Sequence, residues 1–373
     1  MISKKKRDSV GQQHIVCVHL INDFGGTSLI LSEIIEGLIV KKYTIEVYTS
    51  TSSEEGFLSS FINVAYHKFY HRAAKRSFFV VVNLFVSQFL LFFKLLKYYR
   101  KPVVFYINTL MPFGAALAAR VMRKRVVFHI HEISVKPQFL NWWCKLIAHY
   151  CASDVIYVSQ FIKRKKELNI SRNHVVRNAL SPSFITKTIH NRHREDFTIL
   201  MLCNLKIYKG VIEFVQIARL LPQYRFEMVL NAHEDEINAF FKNIRFSENL
   251  IVHSSQPSVH RFYARASLVI NLSHADKWLE SFGMTVLEAM SYGLPVIVPP
   301  RGGISELVVD DYNGYHLSYN DLDSIVAMII RIAENPELYL RLSNGSQEVL
   351  SKYSYEEMIG KVDSILKTGS SDQ

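Results

Sequence analysis

The chain has 373 residues, 49% hydrophobic and 21% charged, a balance that excludes low-complexity, collagen-like and largely disordered proteins. At about 150 residues per domain its length points to two domains. The net charge of +11 is uneven, with 26 basic against 10 acidic side chains in residues 1–180 and 18 against 23 in residues 181–373, so the first half suits an anionic partner.

The N-terminus, Met1-Ile2-Ser3-Lys4-Lys5-Lys6-Arg7, is basic, but the apolar stretch at 14–20 is too short for a secretory core. Cys17, Cys144, Cys151 and Cys203 form no CxxC pair. That predicts a reducing, cytoplasmic setting, without a disulfide framework or a zinc ribbon.

Apolar runs at 14–20, 44–49, 103–108, 126–130 and 155–159 alternate with helical patterns at 28–40, 113–122 and 139–150. The alternation restarts with strands at 198–204, 225–231, 250–253, 268–272 and 295–298 and helices at 211–220 and 284–292. Strands apolar on both faces and separated by helices predict a parallel, doubly wound α/β sheet. Seen twice, the pattern predicts two such domains, 1–180 and 181–352, with a polar linker or domain edge at 186–196. Helices at 321–334, 336–351 and 354–367 follow, with a frayed tail at 368–373. The segment 353–373 is expected to return toward the first domain.

Residues 78–93 read FFVVVNLFVSQFLLFF, with Lys68, Arg72, Lys75 and Arg76 before them and Lys94, Lys97, Arg100 and Lys101 after. The run falls short of the roughly 20 residues of a membrane span. It is either a helix buried against the first sheet or an interfacial element whose basic flanks meet anionic headgroups. No RNP-like, helix-turn-helix or finger motif points to nucleic acid.

The segment 271–309 carries the chemistry. Glu280 and Glu288 are eight apart, and Gly283 stands just ahead of a helix beginning near Met284. A helix N-terminus offers unpaired N–H groups and a positive dipole end to a phosphate. Two carboxylates there could accept hydroxyl hydrogen bonds from a sugar and a ribose, although first-turn carboxylates on a surface helix would look the same. The full string, NLSHADKWLESFGMTVLEAMSYGLPVIVPPRGG, resembles the E-x7-E region of retaining glycosyltransferases of the GT-B fold, the family 4 group. It is particularly similar to bacterial enzymes that assemble exopolysaccharide, capsule or O-antigen.

The resemblance implies two Rossmann-like domains facing each other across a cleft, the first binding the acceptor and the second the nucleotide sugar. It implies that Glu280 contacts the donor sugar, that Glu288 binds the ribose, and that amides of Phe282, Gly283, Met284 and Thr285 hold the diphosphate. CNLKIYKGVIEFVQIA resembles the family's G-R-L-x3-K-G turn, which makes Lys209 the diphosphate-binding lysine. Asn204 stands where the family has Arg, and Lys206 or Arg301 is a candidate substitute. HLINDFGGT resembles the family's Gly-Gly loop and places Gly25 and Gly26 near the diphosphate. HIHEIS resembles the segment of the active-site His, with His131 the best match and His129 the fallback. VVRNAL at 175–180 is similar to the segment that precedes the second domain. Catalysis is then expected of His131, Glu280 and Lys209, by front-face attack, with no covalent nucleophile.

The implied partners are a UDP- or GDP-type nucleotide sugar as donor substrate, a saccharide acceptor that is lipid-linked, and an anionic membrane surface at the inner face of the cell membrane. Asp321-Leu322-Asp323 fits the D-x-D of metal-dependent transferases. Its place at a helix start reads as a cap instead, so no metal is expected. The contrasting reading is a non-catalytic protein of the same fold, for which Asn204 is the one supporting feature.

Overall fold

The computed structural model describes residues 13–52, 55–59, 61, 64–72, 77–133, 135–170, 172–188 and 196–368. Lys75, Arg76, most of the 186–196 linker and the end of the tail lie outside them. The first half builds β1 (His14–Val18), α1 (Gly26–Val40), β2 (Thr44–Ser50), β3 (Ala65–Phe69), α2 (Ser77–Leu95), β4 (Val103–Asn108), α3 (Phe113–Val121), β5 (Arg125–Ile130), α4 (Gln138–Cys151), β6 (Asp154–Tyr157), α5 (Gln160–Lys166) and β7 (Asn173–Val175). All seven strands are parallel in the order β3-β2-β1-β4-β5-β6-β7, with His14 opposite both Thr44 and Val103. β1, β4, β5 and β6 are buried almost throughout, as strands covered on both faces must be.

The second half begins with the short α6 (Pro182–Ile185) and continues with β8 (Thr198–Asn204), α7 (Val211–Leu220), β9 (Arg225–Asn231), α8 (Glu234–Phe240), β10 (Leu250–His253), α9 (His260–Arg265), β11 (Leu268–Ile270), α10 (Met284–Ser291), β12 (Val296–Val298), β13 (Gly314–His316), α11 (Leu322–Glu334), α12 (Pro336–Leu350) and α13 (Tyr355–Lys367). Its six strands are parallel in the order β10-β9-β8-β11-β12-β13. Phe214, Phe226, Phe262 and Tyr263 are among its fully buried side chains. Two polar side chains set the final helices: Asp321 caps α11 by accepting from the Ser324 amide at 3.2 Å, and Asn335 caps α12 by accepting from Leu338 at 2.9 Å.

The units differ in detail from the expected domains. One comprises 1–158, 166–176 and 359–373, the other 159–165 and 177–358, so the change falls at Arg177 rather than after residue 180. Within the first unit, Ile359 packs where Gly37 of α1 has no side chain, and Arg125 donates to the carbonyls of Ile365 and Leu366 at 2.5 and 2.6 Å. The end of α13 is therefore built into the first unit. The three-residue strands β7 and β13 and the mostly exposed β3 were not expected from the sequence. Their apolar runs are too short or too wet to read.

α2 is longer than its apolar run and continues as a 3-10 turn through Tyr98. The stretch Phe79–Tyr98, with mean hydropathy 2.1, is long and apolar enough to cross a membrane by length and composition, which corrects the expectation that it is too short. One face is built into the first unit, where the Gly114 amide of α3 donates to Gln88 Oε1 at 3.0 Å and Phe85 meets Phe113 and Trp143. The helix is apolar on both faces, with Leu84, Leu91 and Leu95 buried in the unit. Its polar Ser87 and Gln88 are buried, Gln88 to 1%, while Val82, Val86, Phe89, Leu90 and Phe93 are exposed, Phe89 to 63%.

Candidate active site

Ligands of doubly wound sheets bind beyond the C-terminal strand ends, where the strand order reverses. In the second unit that point lies between β8 and β11. After β8 the chain makes a 3-10 turn, Ile207–Lys209, and enters α7 through Gly210 at φ 81. A Cβ on Gly210 would run into Leu272 of the β11 loop, so only glycine lets the two loops pack together. This packing joins residues 71 apart. Lys209 Nζ donates to Glu280 Oε1, and Ser273 Oγ donates to the same oxygen at 2.7 Å. The Lys209 ammonium also lies 5.6 Å from the centre of the Trp278 ring, which stacks on Tyr208.

The loop around Glu280 is supported from behind. The Gly303 amide donates to the Glu280 carbonyl at 2.6 Å, and Ser159 Oγ donates to the Ser281 carbonyl at 2.8 Å. A Cβ on Gly302 would sit 2.9 Å from the Glu280 carbonyl oxygen, and one on Gly303 would collide with that of Ser281. Gly283, at φ 107, then turns the chain into α10. The first amides of this helix, on Met284 and Thr285, have no partner within it and stand at its positive end. The side chain of Phe282 is buried, edge-on to Tyr353, so only its backbone is available to a ligand.

Glu288 lies one turn into α10 with its carboxylate buried. The Tyr263 hydroxyl donates to Glu288 Oε2 at 2.7 Å, and burial pushes the carboxyl up to about 7 against that hydrogen bond. Asn204 is exposed at the end of β8, where its Oδ1 accepts from Asn231 at 3.2 Å. Lys206 and Arg301 are also exposed, and Arg301 directly precedes the glycine pair behind Glu280. Among the described residues no group of three or more His, Cys, Asp or Glu stands together as a metal site.

In the first unit the strand order reverses between β1 and β4. The loop after β1 ends at Gly25, the N-cap of α1, whose amide donates to Asp23 Oδ1 at 3.0 Å. A Cβ on Gly25 would press on that carboxylate at 2.9 Å, whereas one on Gly26 would meet nothing within 4 Å. His131 follows β5 directly. Its Nε2 lies 2.9 Å from Asn108 Oδ1, and its ring is 4.2 Å from that of His129. Burial, with His129 and His19 nearby, holds His131 well below the usual histidine range, so its ring is neutral. His129, the fallback, sits inside β5 with Nδ1 2.8 Å from the Tyr106 hydroxyl. Burial pushes it down to about 3.

Several residues here carried no expected role. Trp278 and the pair Gly302-Gly303 lie within the quoted string, but nothing local marks what they touch. Ser273 lies in that string too, seven residues before Glu280, while Tyr263 and Asn108 have no local signal, since each acts on a partner brought up by the fold.

A model of glycosyl transferases group 1 matches residues 184–349, and a model of glycosyltransferase family 4 matches residues 24–184. Lipopolysaccharide 1,2-N-acetylglucosaminetransferase of Salmonella typhimurium is 36% identical over 114 residues, 30% of this chain and 29% of that protein. N-acetyl-alpha-D-glucosaminyl L-malate synthase of Bacillus anthracis is 24% identical over 266 residues, 69% of this chain and 62% of that protein. The match thus spans less than two thirds of the length of either relative. Anabaena HepE in complex with UDP and glucose superimposes with a TM-score of 0.76 at 20% identity, over 94% of this chain and 98% of that one; this likeness shows the GT-B fold. With both family models matched in sequence order across 24–349, this chain belongs to the group 1, family 4 glycosyltransferases.

Proposed function

We propose that the chain transfers a sugar from a nucleotide diphosphate donor, of UDP or GDP type, to a hydroxyl of a lipid-linked saccharide, with retention of anomeric configuration. The observation that carries this reading is the junction of Lys209, Ser273 and Glu280 at the strand-order reversal, beside the head of α10. Departure of the nucleotide diphosphate builds negative charge. Lys209 and the amides of Met284 and Thr285 neutralise it, and no metal is required. An arriving diphosphate competes with Glu280 for Lys209 and leaves the carboxylate to accept from sugar hydroxyls. Glu288 awaits the ribose, and His131, Gly25 and Gly26 keep the roles that the family resemblance implies for them. Attack comes from the front face, assisted by the leaving phosphate. HepE, solved with UDP and glucose, supports the donor class, and the Salmonella relative, named for lipopolysaccharide, supports the acceptor class.

The D-x-D residues support the metal-free reading, because Asp321 is engaged as the cap of α11. Asn204 supports the contrasting reading of a non-catalytic binder, since its neutral amide adds no positive charge. Calorimetry with UDP and GDP, followed by transfer and hydrolysis assays over a panel of donor sugars, separates them. Binding without any turnover across the panel overturns the enzymatic reading.

The same reading places the protein on the anionic inner surface of the cell membrane, reversibly and without spanning it. The support is α2, which turns an apolar stripe of Val82, Val86, Phe89, Leu90 and Phe93 to solvent, followed by exposed Lys94, Lys97, Arg100 and Lys101. An apolar face at the acyl boundary with basic residues at headgroup level is the geometry of an interfacial helix. Flotation with anionic and with neutral vesicles at low and high salt tests it. Equal recovery with both lipids, no flotation, or a dimer built on this face overturns it.

A further inference from the structure

We propose that Asn108 is the positioning residue for His131: it holds the imidazole in its Nε2–H tautomer, at the head of a one-way chain of hydrogen bonds that ends on Asp23 beside Gly25 and Gly26. The inference goes beyond the proposed transfer and rests on that reading only for the effect on turnover.

The direction of every bond follows from one fixed point. Asn108 is the last residue of β4 and is fully buried. Its amide lies 3.1 Å from the Thr27 carbonyl oxygen, which can only accept, so the group facing Thr27 is Nδ2. The other end of the amide is therefore an oxygen, and His131 Nε2 at 2.9 Å must donate to it. The second Nδ2 hydrogen points to His19 Nδ1 at 3.1 Å, nearer than the Asn108 carbonyl oxygen at 3.5 Å. His19 Nδ1 thus accepts, and its Nε2–H donates to Ser28 Oγ at 3.1 Å. The Ser28 hydroxyl donates to Asp23 Oδ1 at 2.7 Å. Each group passes its hydrogen the same way, from His131 through Asn108, His19 and Ser28 to the carboxylate that also holds the Gly25 amide.

The titratable groups around this chain permit it. Burial favours the neutral forms of His19, His129 and His131, and Glu132, next to His131, is engaged by the Leu110 amide. A neutral ring with its hydrogen on Nε2 keeps the lone pair on Nδ1. His131 therefore meets a ligand as an acceptor from a hydroxyl, such as one on a sugar, and not as a cation for phosphate. A strand residue 23 positions away decides which.

Long-range 1H–15N correlation spectra of the native protein labelled at histidine test the tautomer, with His131→Gln assigning the signal. The expected spectrum shows His131 as Nε2–H, and Asn108→Ala loses that preference while Asn108→Asp, which keeps an acceptor opposite Nε2, retains it. Steady-state kinetics of the same variants, checked for native melting, test the consequence. Asn108→Ala is expected to lower kcat roughly tenfold or more through loss of orientation, with little change in donor KM, and Asn108→Asp to recover part of it. An Nδ1–H signal in the unmodified protein overturns the hydrogen-bond assignment. Unchanged kcat in Asn108→Ala, where His131→Gln is impaired, overturns the positioning role. Unimpaired turnover in His131→Gln removes His131 from the site, and with it the effect on turnover.

Discussion

The Tyr263 hydroxyl, on α9, donates to the Glu288 carboxylate, on α10, at 2.7 Å in a place where burial has pushed that carboxyl from 4.5 to about 7. A raised carboxyl favours the folded state while protonated. Its contribution is fully present below pH about 4.5 and is lost as pH rises through about 7, at roughly 1.4 kcal/mol per pH unit between those values. Glu288→Gln, which keeps an acceptor for Tyr263, is expected to match the parent in stability near pH 4.5. It should exceed it at pH 8 by on the order of 3 kcal/mol. Urea unfolding of both proteins across this range checks the prediction, and parallel curves would refute it.

Lys209 supplies a positive charge that Glu280 holds in place. Lys209→Ala is expected to cost about 2.7–4 kcal/mol of transition-state stabilisation, a hundredfold or more in kcat, because the leaving diphosphate loses a preorganised cation. Full turnover in that variant would remove the electrostatic part of the mechanism.

Gly210 joins the two loops that bring Lys209 to Glu280. Gly210→Ala forces a side chain into the left-handed region and against Leu272, at about 1–2 kcal/mol for the backbone and about 1–3 kcal/mol for overpacking. Stability and turnover should fall together, as read by denaturant midpoint and transfer rate. An alanine variant with native stability would show that the loops are not packed in this way.

Arg125 donates to buried Asp154 through Nε and a terminal nitrogen, at 3.1 and 2.7 Å, as well as to the end of α13. Asp154 keeps His174 at 3.1 Å and Arg172 at 3.5 Å, but it loses its two-pronged partner and the Ile365 and Leu366 carbonyls lose their donor, so Arg125→Ala is expected to destabilise by about 1–3 kcal/mol. Hydrogen exchange should show α13 losing protection first. Uniform loss over the chain would argue against a local role in holding this helix.

Phe89 and Phe93 lie on the exposed stripe of α2. Changing both to Ser should leave the melting temperature close to that of the parent, since exposed positions typically contribute within about 0.5 kcal/mol. Recovery on anionic vesicles should drop. Unchanged vesicle binding would exclude these rings from the contact.

The sequence by itself determined the repeated strand–helix alternation, because burial on both faces of a parallel sheet demands continuous apolar runs that composition displays directly. It also placed Glu280 ahead of a helix and Glu288 within it, since Gly283 and the apolar period after it are local signals. α1, by contrast, starts at Gly26, two residues before the apolar pattern, because a glycine N-cap leaves no periodic mark. Composition showed that α2 is apolar but not which side faces water; its buried Gln88 became legible only through the Gly114 amide of α3. Lys209 with Glu280, Asn108 with His131 and Arg125 with the end of α13 are likewise decisions of the tertiary structure. Their partners lie 71, 23 and about 240 residues apart, and neither propensity nor periodicity carries information over such separations. Only the strand order, by setting which loops emerge side by side at a sheet's end, brings these groups within hydrogen-bonding distance.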